Sequence, residues 1–222
     1  MHDKPIAAGR SSFDFVDTEA VFRALQLEPG KVLLDLASGA GNYSLAIAGS
    51  EGSGSVIHAF DLWEEGIAQL KQRVAEAGLT NITAAVADVT KKIPTGDGSA
   101  DVCLIATALH DLVQEQGGEG VLREVARVLK PGGRLVVVEF QKVDGPPGPP
   151  RHIRLSPEEL DTLVLPFGFT RASTVPAGDR RADALFPPCS LWLLPPLLLC
   201  RCPRLGPVLS SCREAASFRI AS

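Results

Sequence analysis

The chain has 222 residues, 45% of them hydrophobic and 22% charged, and a formal net charge of −4. These figures exclude a disordered chain, a collagen and a coiled coil, and leave room for one α/β domain with a full core. The acidic balance gives no basic footprint for nucleic acid. The start has no apolar run of signal-peptide length, and the longest apolar stretch, residues 185–200, is broken by four prolines. That stretch is too short and too interrupted to span a bilayer, so a cytoplasmic protein with no membrane partner is the expectation.

Residues 1–30 read as a lead-in with one helix. Asp17 and Thr18 can cap it, Val21, Phe22, Leu25 and Leu27 keep near-helical spacing, and Pro29-Gly30 stops it. An alternation then begins. Val32–Leu36 is a short continuous apolar run, the pattern of a strand buried on both faces. A helical stretch over 42–48, a strand over 55–60, an amphipathic helix over 64–77 and a strand over 82–86 follow. A very apolar strand over 101–106 precedes a helix over 120–129, which Pro131-Gly132-Gly133 ends, and a valine-rich strand over 134–140. Strands separated by helices at this spacing predict a doubly wound, mostly parallel sheet of the α/β class. Ligands of such sheets sit beyond the carboxyl ends of the strands, where strand order reverses, so function is sought in the loops after the strands. Further on, 145–150 reads as a stiff proline-rich connector, Ser156-Pro157-Glu158-Glu159 as a helix start, and 170–175 as a sixth strand.

The first of those loops runs from Asp35 through Ser38, Gly39 and Gly41 into a helix. Its glycines permit a sharp turn and a close ligand approach, and the helix start offers free amides. Asp61 ends the second strand, about 20 residues on, where a carboxylate can accept both hydroxyls of a ribose; a solvated turn aspartate beside Trp63 fits the same position. Asp88 follows the third strand, where it can accept an adenine amino group or serve as a turn cap. Three acids after three consecutive strands, with a glycine turn and no triphosphate-binding motif, predict a nucleoside site. His110 and Asp111 follow the fourth strand, and His110 titrates near neutrality, as a general base would. A loop-to-helix junction capped by Asp111 is the alternative there. His152 has no feature that separates it from a surface histidine, and His58 reads as structural.

The patterns VLLDLASGAGNYSLAIA, AFDL, AVADV, ADVCLIATALHDL and LREVARVLKPGGRLVVVEF together resemble the class I S-adenosylmethionine-dependent methyltransferases. The resemblance covers roughly residues 12–175, and Ala37 stands where that family usually has a glycine. It implies a seven-stranded-type sheet and S-adenosylmethionine as cofactor. It assigns Asp35, Ser38, Gly39 and Gly41 to the methionine end, Asp61 to the ribose, Leu62 to the adenine face, and Asp88 with Val89 to the adenine edge. Ala106 would lie near the methionine moiety, and Phe13 and Asp14 in a cap over the cofactor. The implied reaction is methyl transfer to a small-molecule acceptor, with His110 as the candidate base and no metal. A nicotinamide-dependent oxidoreductase shares the glycine turn and Asp61 but would want a third glycine where Ser44 stands. A non-catalytic cofactor-binding subunit is the third reading.

Three segments result: a lead-in over 1–30, a cofactor-binding domain over 31–175 and an atypical tail over 176–222. The tail holds four of the five cysteines, Cys189, Cys200, Cys202 and Cys212, and seven of the 17 prolines. Those cysteine spacings suit neither a disulfide framework nor a zinc site. The apolar strand that should pair with the sixth is not readable there, so the last strand is expected to be missing or altered. The tail's composition matches a shifted reading frame in a GC-rich gene.

Overall fold

The computed structural model describes residues 8–50, 54–177 and 189–194. Helix α1 (Thr18–Leu25) leads into β1 (Val32–Leu36), α2 (Asn42–Ala48), β2 (Val56–Asp61), α3 (Glu64–Glu76) and β3 (Ile82–Val86). There follow β4 (Ala100–Ala106), α4 (Leu109–Gln114), α5 (Gly118–Val128), β5 (Leu129–Phe140), α6 (Pro157–Val164), β6 (Ser173–Pro176) and β7 (Cys189–Leu194). The sheet order is β3-β2-β1-β4-β5-β7-β6. The first five strands pair in parallel, and β7 runs antiparallel to both β5 and β6. Strand order reverses between β1 and β4, which opens the crevice at their carboxyl ends.

The expectation of a missing last strand is corrected here. β7 lies inside the segment read as a tail, and it fills the gap between β5 and β6 with Trp192 opposite Val137 and Thr174. The prolines mislead because they flank the ladder rather than interrupt it: Pro187 and Pro188 precede the six residues, and Pro195 and Pro196 follow them. No amide of the strand is therefore missing. Cys200, Cys202 and Cys212 lie outside the described residues.

Continuous apolar strands are explained by the two cores they divide. Leu34, Leu36, Cys103, Ile105, Leu135 and Val137 face one side, where Val121, Leu122, Val125 and Val128 of α5 and Leu160 and Val164 of α6 cover them. Their neighbours Leu33, Val102, Leu104, Val136 and Val138 face the other, with Val21 and Leu25 of α1 and Ile47 of α2. Side chains alternate along a strand, so a strand buried on both faces must be apolar throughout.

At the opposite edge from the crevice, Asp101 fixes the register of the central strands. Its carboxylate accepts from the Val32 amide at 2.9 Å and pairs with Lys130 at 2.7 Å and Lys31 at 3.4 Å. The turn Lys130–Gly133 bulges out of the β4–β5 ladder between Ala100 and Val102, which brings the Lys130 ammonium to Asp101. Burial opposes ionisation of Asp101, but these partners outweigh it and hold the carboxyl below its usual value. A lowered acid contributes stability that is present above its unfolded value of about 3.9 and is lost as pH falls through the folded one. Asp101→Ala is expected to cost about 1–3 kcal/mol in urea unfolding at neutral pH, with the deficit shrinking below about pH 4.

Candidate cofactor site

A cavity of about 690 Å³ opens at the carboxyl ends of β1 to β4. Its walls are the loops after those four strands, and residues 8–12 of the lead-in close one side. A volume in this range is typical of a small-molecule or cofactor site. Asp35, Ser38, Gly39, Asp61, Leu62, Asp88, Val89 and Ala106 all line it.

The first loop is built around two glycines with different tasks. Gly39 has φ +57 and open space where a Cβ would project, and its amide donates to Asp61 Oδ2 at 2.7 Å. Gly41 does not line the cavity. A Cβ on it would collide with the buried side chain of Leu70, so this glycine sets the packing of α2 against α3. Ala37 also adopts a left-handed conformation, φ +56, which costs an L-residue with a Cβ roughly 1–2 kcal/mol.

Asp61 is the centre of the site. Its second oxygen accepts from the Trp63 amide at 2.7 Å, so one carboxylate ties the loop after β1 to the loop after β2. Burial raises its pKa, against the lowering effect of amide hydrogen bonds from Trp63, Gly39 and Leu62. Asp35 lies deeper: burial pushes its carboxyl up to about 7, although the Ser44 hydroxyl donates to it at 2.6 Å, and the nearby Asp61 charge adds to the rise. Asp88 has a different setting. Burial opposes its charge, but Lys91 at 2.8 Å and the Thr90 hydroxyl hold it below the ordinary range. The turn role weighed for Asp88 is thus present alongside its place on the wall. Ser38 presents a buried Oγ with no hydrogen-bond partner.

His110 is not brought into the cavity. Its ring is buried, with Nδ1 2.7 Å from Glu139 Oε2 and its backbone N–H donating to Glu139 Oε1 at 3.1 Å. It does not line the wall as a free base would; the neighbouring Asp111 does. Glu139 is the penultimate residue of β5, within VVVEF, where sequence alone reads it as one more strand position. Phe13 and Asp14 do not line the cavity either. Phe13 packs edge-on against Tyr43 with ring centroids 5.2 Å apart, and residues 8–12, just before it, form the wall. His152 is exposed at a separate shallow cleft beside Lys142 and Arg151, and His58 stacks on Phe60 within β2.

Sequence reading missed a hydroxyl chain. The buried Ser12 Oγ lies 2.8 Å from the Tyr43 hydroxyl and accepts from Thr107 Oγ1 at 2.9 Å. Thr107 has φ +50, a rare conformation for a β-branched residue. Tyr43 is the only tyrosine of the chain, and its place one residue into α2 was the available signal. Among the described residues, no group of three potential ligands is placed to hold a metal ion.

Comparison with known proteins decides what this site belongs to. The family described as "Methyltransferase domain" matches residues 27–170. The chain belongs to that family. A relative from Paraburkholderia phytofirmans named ubiquinone/menaquinone biosynthesis C-methyltransferase is 35% identical over 120 residues, which is 54% of this chain and 47% of that one. The chain thus spans about half the length of the curated relatives it matches. The crystal structure of a SAM-dependent methyltransferase from Aquifex aeolicus superposes with a TM-score of 0.72 at 24% identity, covering 84% of this chain and 93% of the other. That of the cyclase SpnF does so with 0.68 at 18% identity, covering 88% and 85%. At such identities the likeness is one of fold.

The Aquifex aeolicus protein is named for its dependence on S-adenosylmethionine, and the residues lining this cavity would fit that molecule. An unpartnered buried hydroxyl at Ser38, a glycine opening at Gly39 and two inward carboxyls suit a ligand with hydroxyls, an amino group and a positive charge. Nothing in the comparisons supports the oxidoreductase.

Two outcomes follow from the strain and the burial. Ala37→Gly is expected to raise unfolding free energy by about 0.5–1 kcal/mol, the relief of the left-handed alanine less the added chain entropy of glycine. The raised Asp35 carboxyl lends stability below its unfolded value, and this is lost as pH rises through about 7. Asp35→Asn should therefore melt higher than wild type by a margin that grows from about pH 4 and levels off above neutrality. Thermal unfolding across that pH range measures it.

Proposed function

We propose that the chain transfers a methyl group from S-adenosylmethionine to a small-molecule acceptor, as a cytoplasmic enzyme with no nucleic-acid partner. The observation that carries this reading is the Asp61 carboxylate, held by the Gly39 and Trp63 amides beside the unpartnered Ser38 hydroxyl. In this assignment Asp61 accepts the ribose hydroxyls with the lone pairs its backbone amides leave over. Leu62 covers the adenine face, Asp88 and Val89 meet its edge, and Asp35, Ser38, Gly39 and Ala106 surround the methionine end. Gly41 supports that end through packing. Residues 8–30 act as the cap, with Ser12 joined to Tyr43 and Thr107 across the cavity mouth.

The cofactor supplies a methyl group already activated on a sulfonium, so the protein's contribution is alignment and exclusion of water. Alignment alone can be worth roughly 7–11 kcal/mol of a barrier. The relative from Paraburkholderia phytofirmans carries a name in ubiquinone and menaquinone biosynthesis, which makes a quinol ring the first acceptor to test.

Calorimetric titration with S-adenosylhomocysteine, with NAD in parallel, tests the assignment. Micromolar binding of the first alone is expected, weakened about 10–100-fold in Asp61→Ala, the loss of hydrogen bonds to a charged acceptor. A folded protein that binds neither ligand, or NAD alone, would refute it.

A further inference from the structure

His110 is buried, yet it belongs to a line of three side chains that runs from the core to the cavity wall. Glu139 is the inner end, with a side chain 1% exposed; His110 is 4% exposed and Asp111, on the wall, 20%. Glu139 spends one oxygen on the His110 backbone N–H and the other on Nδ1 at 2.7 Å. An ionised Glu139 requires the hydrogen on Nδ1, so in a neutral ring the Nε2 lone pair faces Asp111. Nε2 and Asp111 Oδ1 are 3.5 Å apart, two acceptors with no hydrogen between them. One added proton resolves that opposition, whether it resides on the imidazole or on the carboxyl.

We propose that Asp111 is the group that takes the acceptor's proton, and that His110 and Glu139 are positioning residues that hold Asp111 and share that proton. The proposal rests on the methyltransferase reading above. It deepens that reading by naming the group that receives the acceptor's proton; the acceptor tested is the quinol ring chosen above, which becomes nucleophilic once its hydroxyl is deprotonated. In the step, the acceptor's O–H bond breaks, the electron pair stays on that oxygen, and the hydrogen ends between Asp111 Oδ1 and His110 Nε2.

The charged groups around the pair are compatible with this. On the inner side burial alone would lower the His110 pKa, but the Glu139 hydrogen bond and charge, with Asp111, outweigh burial and the opposing Arg154 and hold it above its usual value. Arg154 is itself occupied, donating to the carbonyls of Gln141, Pro147 and Pro149 in the proline-rich connector. On the cavity side stand Glu115, just past the end of α4, the Asp88–Lys91 ion pair, and Arg10 of the lead-in.

The test uses the full chain with isotope-labelled histidine, titrated by NMR over about pH 5–10, with His110→Gln to identify the signal. Asp111→Asn is expected to move the His110 midpoint to lower pH; an unmoved midpoint overturns the shared proton. A second arm follows methyl transfer to a naphthohydroquinone. Asp111→Asn should lose about 100-fold or more in kcat while S-adenosylhomocysteine affinity stays within about threefold. His110→Gln should lose less and move the acid limb of the pH–rate profile down, toward that of a lone carboxylate, at unchanged KM. An Asp111→Asn enzyme that keeps its kcat, or an acid limb that does not move, also overturns the proposal. If wild type binds S-adenosylhomocysteine but methylates no hydroquinone, the acceptor class is wrong, and the histidine titration still decides whether Asp111 and His110 share a proton.

Discussion

Backbone N–H groups from two different loops end on the carboxylate of Asp61, and the shape of the carboxyl edge follows from that convergence. Gly39 reaches it at φ +57, a conformation that a residue without a Cβ adopts at no steric cost. Trp63 reaches it from the start of α3, and its ring then packs so closely on Gly66 that no side chain fits there. The lead-in lies against the same ring at Gly9. Two loops thus share one electrostatic anchor, and the lead-in leans on the ring beside it. With Asp61 in place, the glycine turn and the start of α3 keep a common frame.

The cavity wall is rich in carboxyl groups, with Asp35, Asp61, Asp88, Asp111 and Glu115 against Arg10 and Lys91. Burial relieves the crowding by raising Asp35 and Asp61. A cation entering such a site promotes the ionisation of the acids that receive it, since a nearby opposite charge lowers a carboxyl's pKa. Ligand charge and site charge therefore develop together, and the site avoids holding several uncompensated anions in a low-dielectric pocket.

Much of this architecture was legible because the central parallel strands are buried on both faces and announce themselves as apolar runs. Val32–Leu36, Ile82–Val86 and Asn42–Ala48 form as the pattern predicts. The acids at strand ends were legible for the same reason: a charge that ends an apolar run marks the edge of the sheet. What stayed hidden depends on contacts distant in sequence. Glu139 reads as strand and becomes the partner of His110, 29 residues away. Ser12 reads as lead-in and bridges Tyr43 and Thr107. β7 was obscured by proline pairs that look like breakers but stand outside its six residues in the sequence. Gly41 reads as a ligand contact, yet its tight neighbour is Leu70, which no local pattern announces.

β7 is the last of the described strands in the chain, yet in the sheet it stands between two that precede it. Translation therefore delivers β5 and β6 before the strand that separates them. Until residue 194 has left the ribosome, β5 carries an open edge along Leu135 to Phe140, a template on which a foreign strand can pair. The order of synthesis thus leaves the nascent domain most exposed to misassembly between β6 and β7, after the loops that line the crevice are already made.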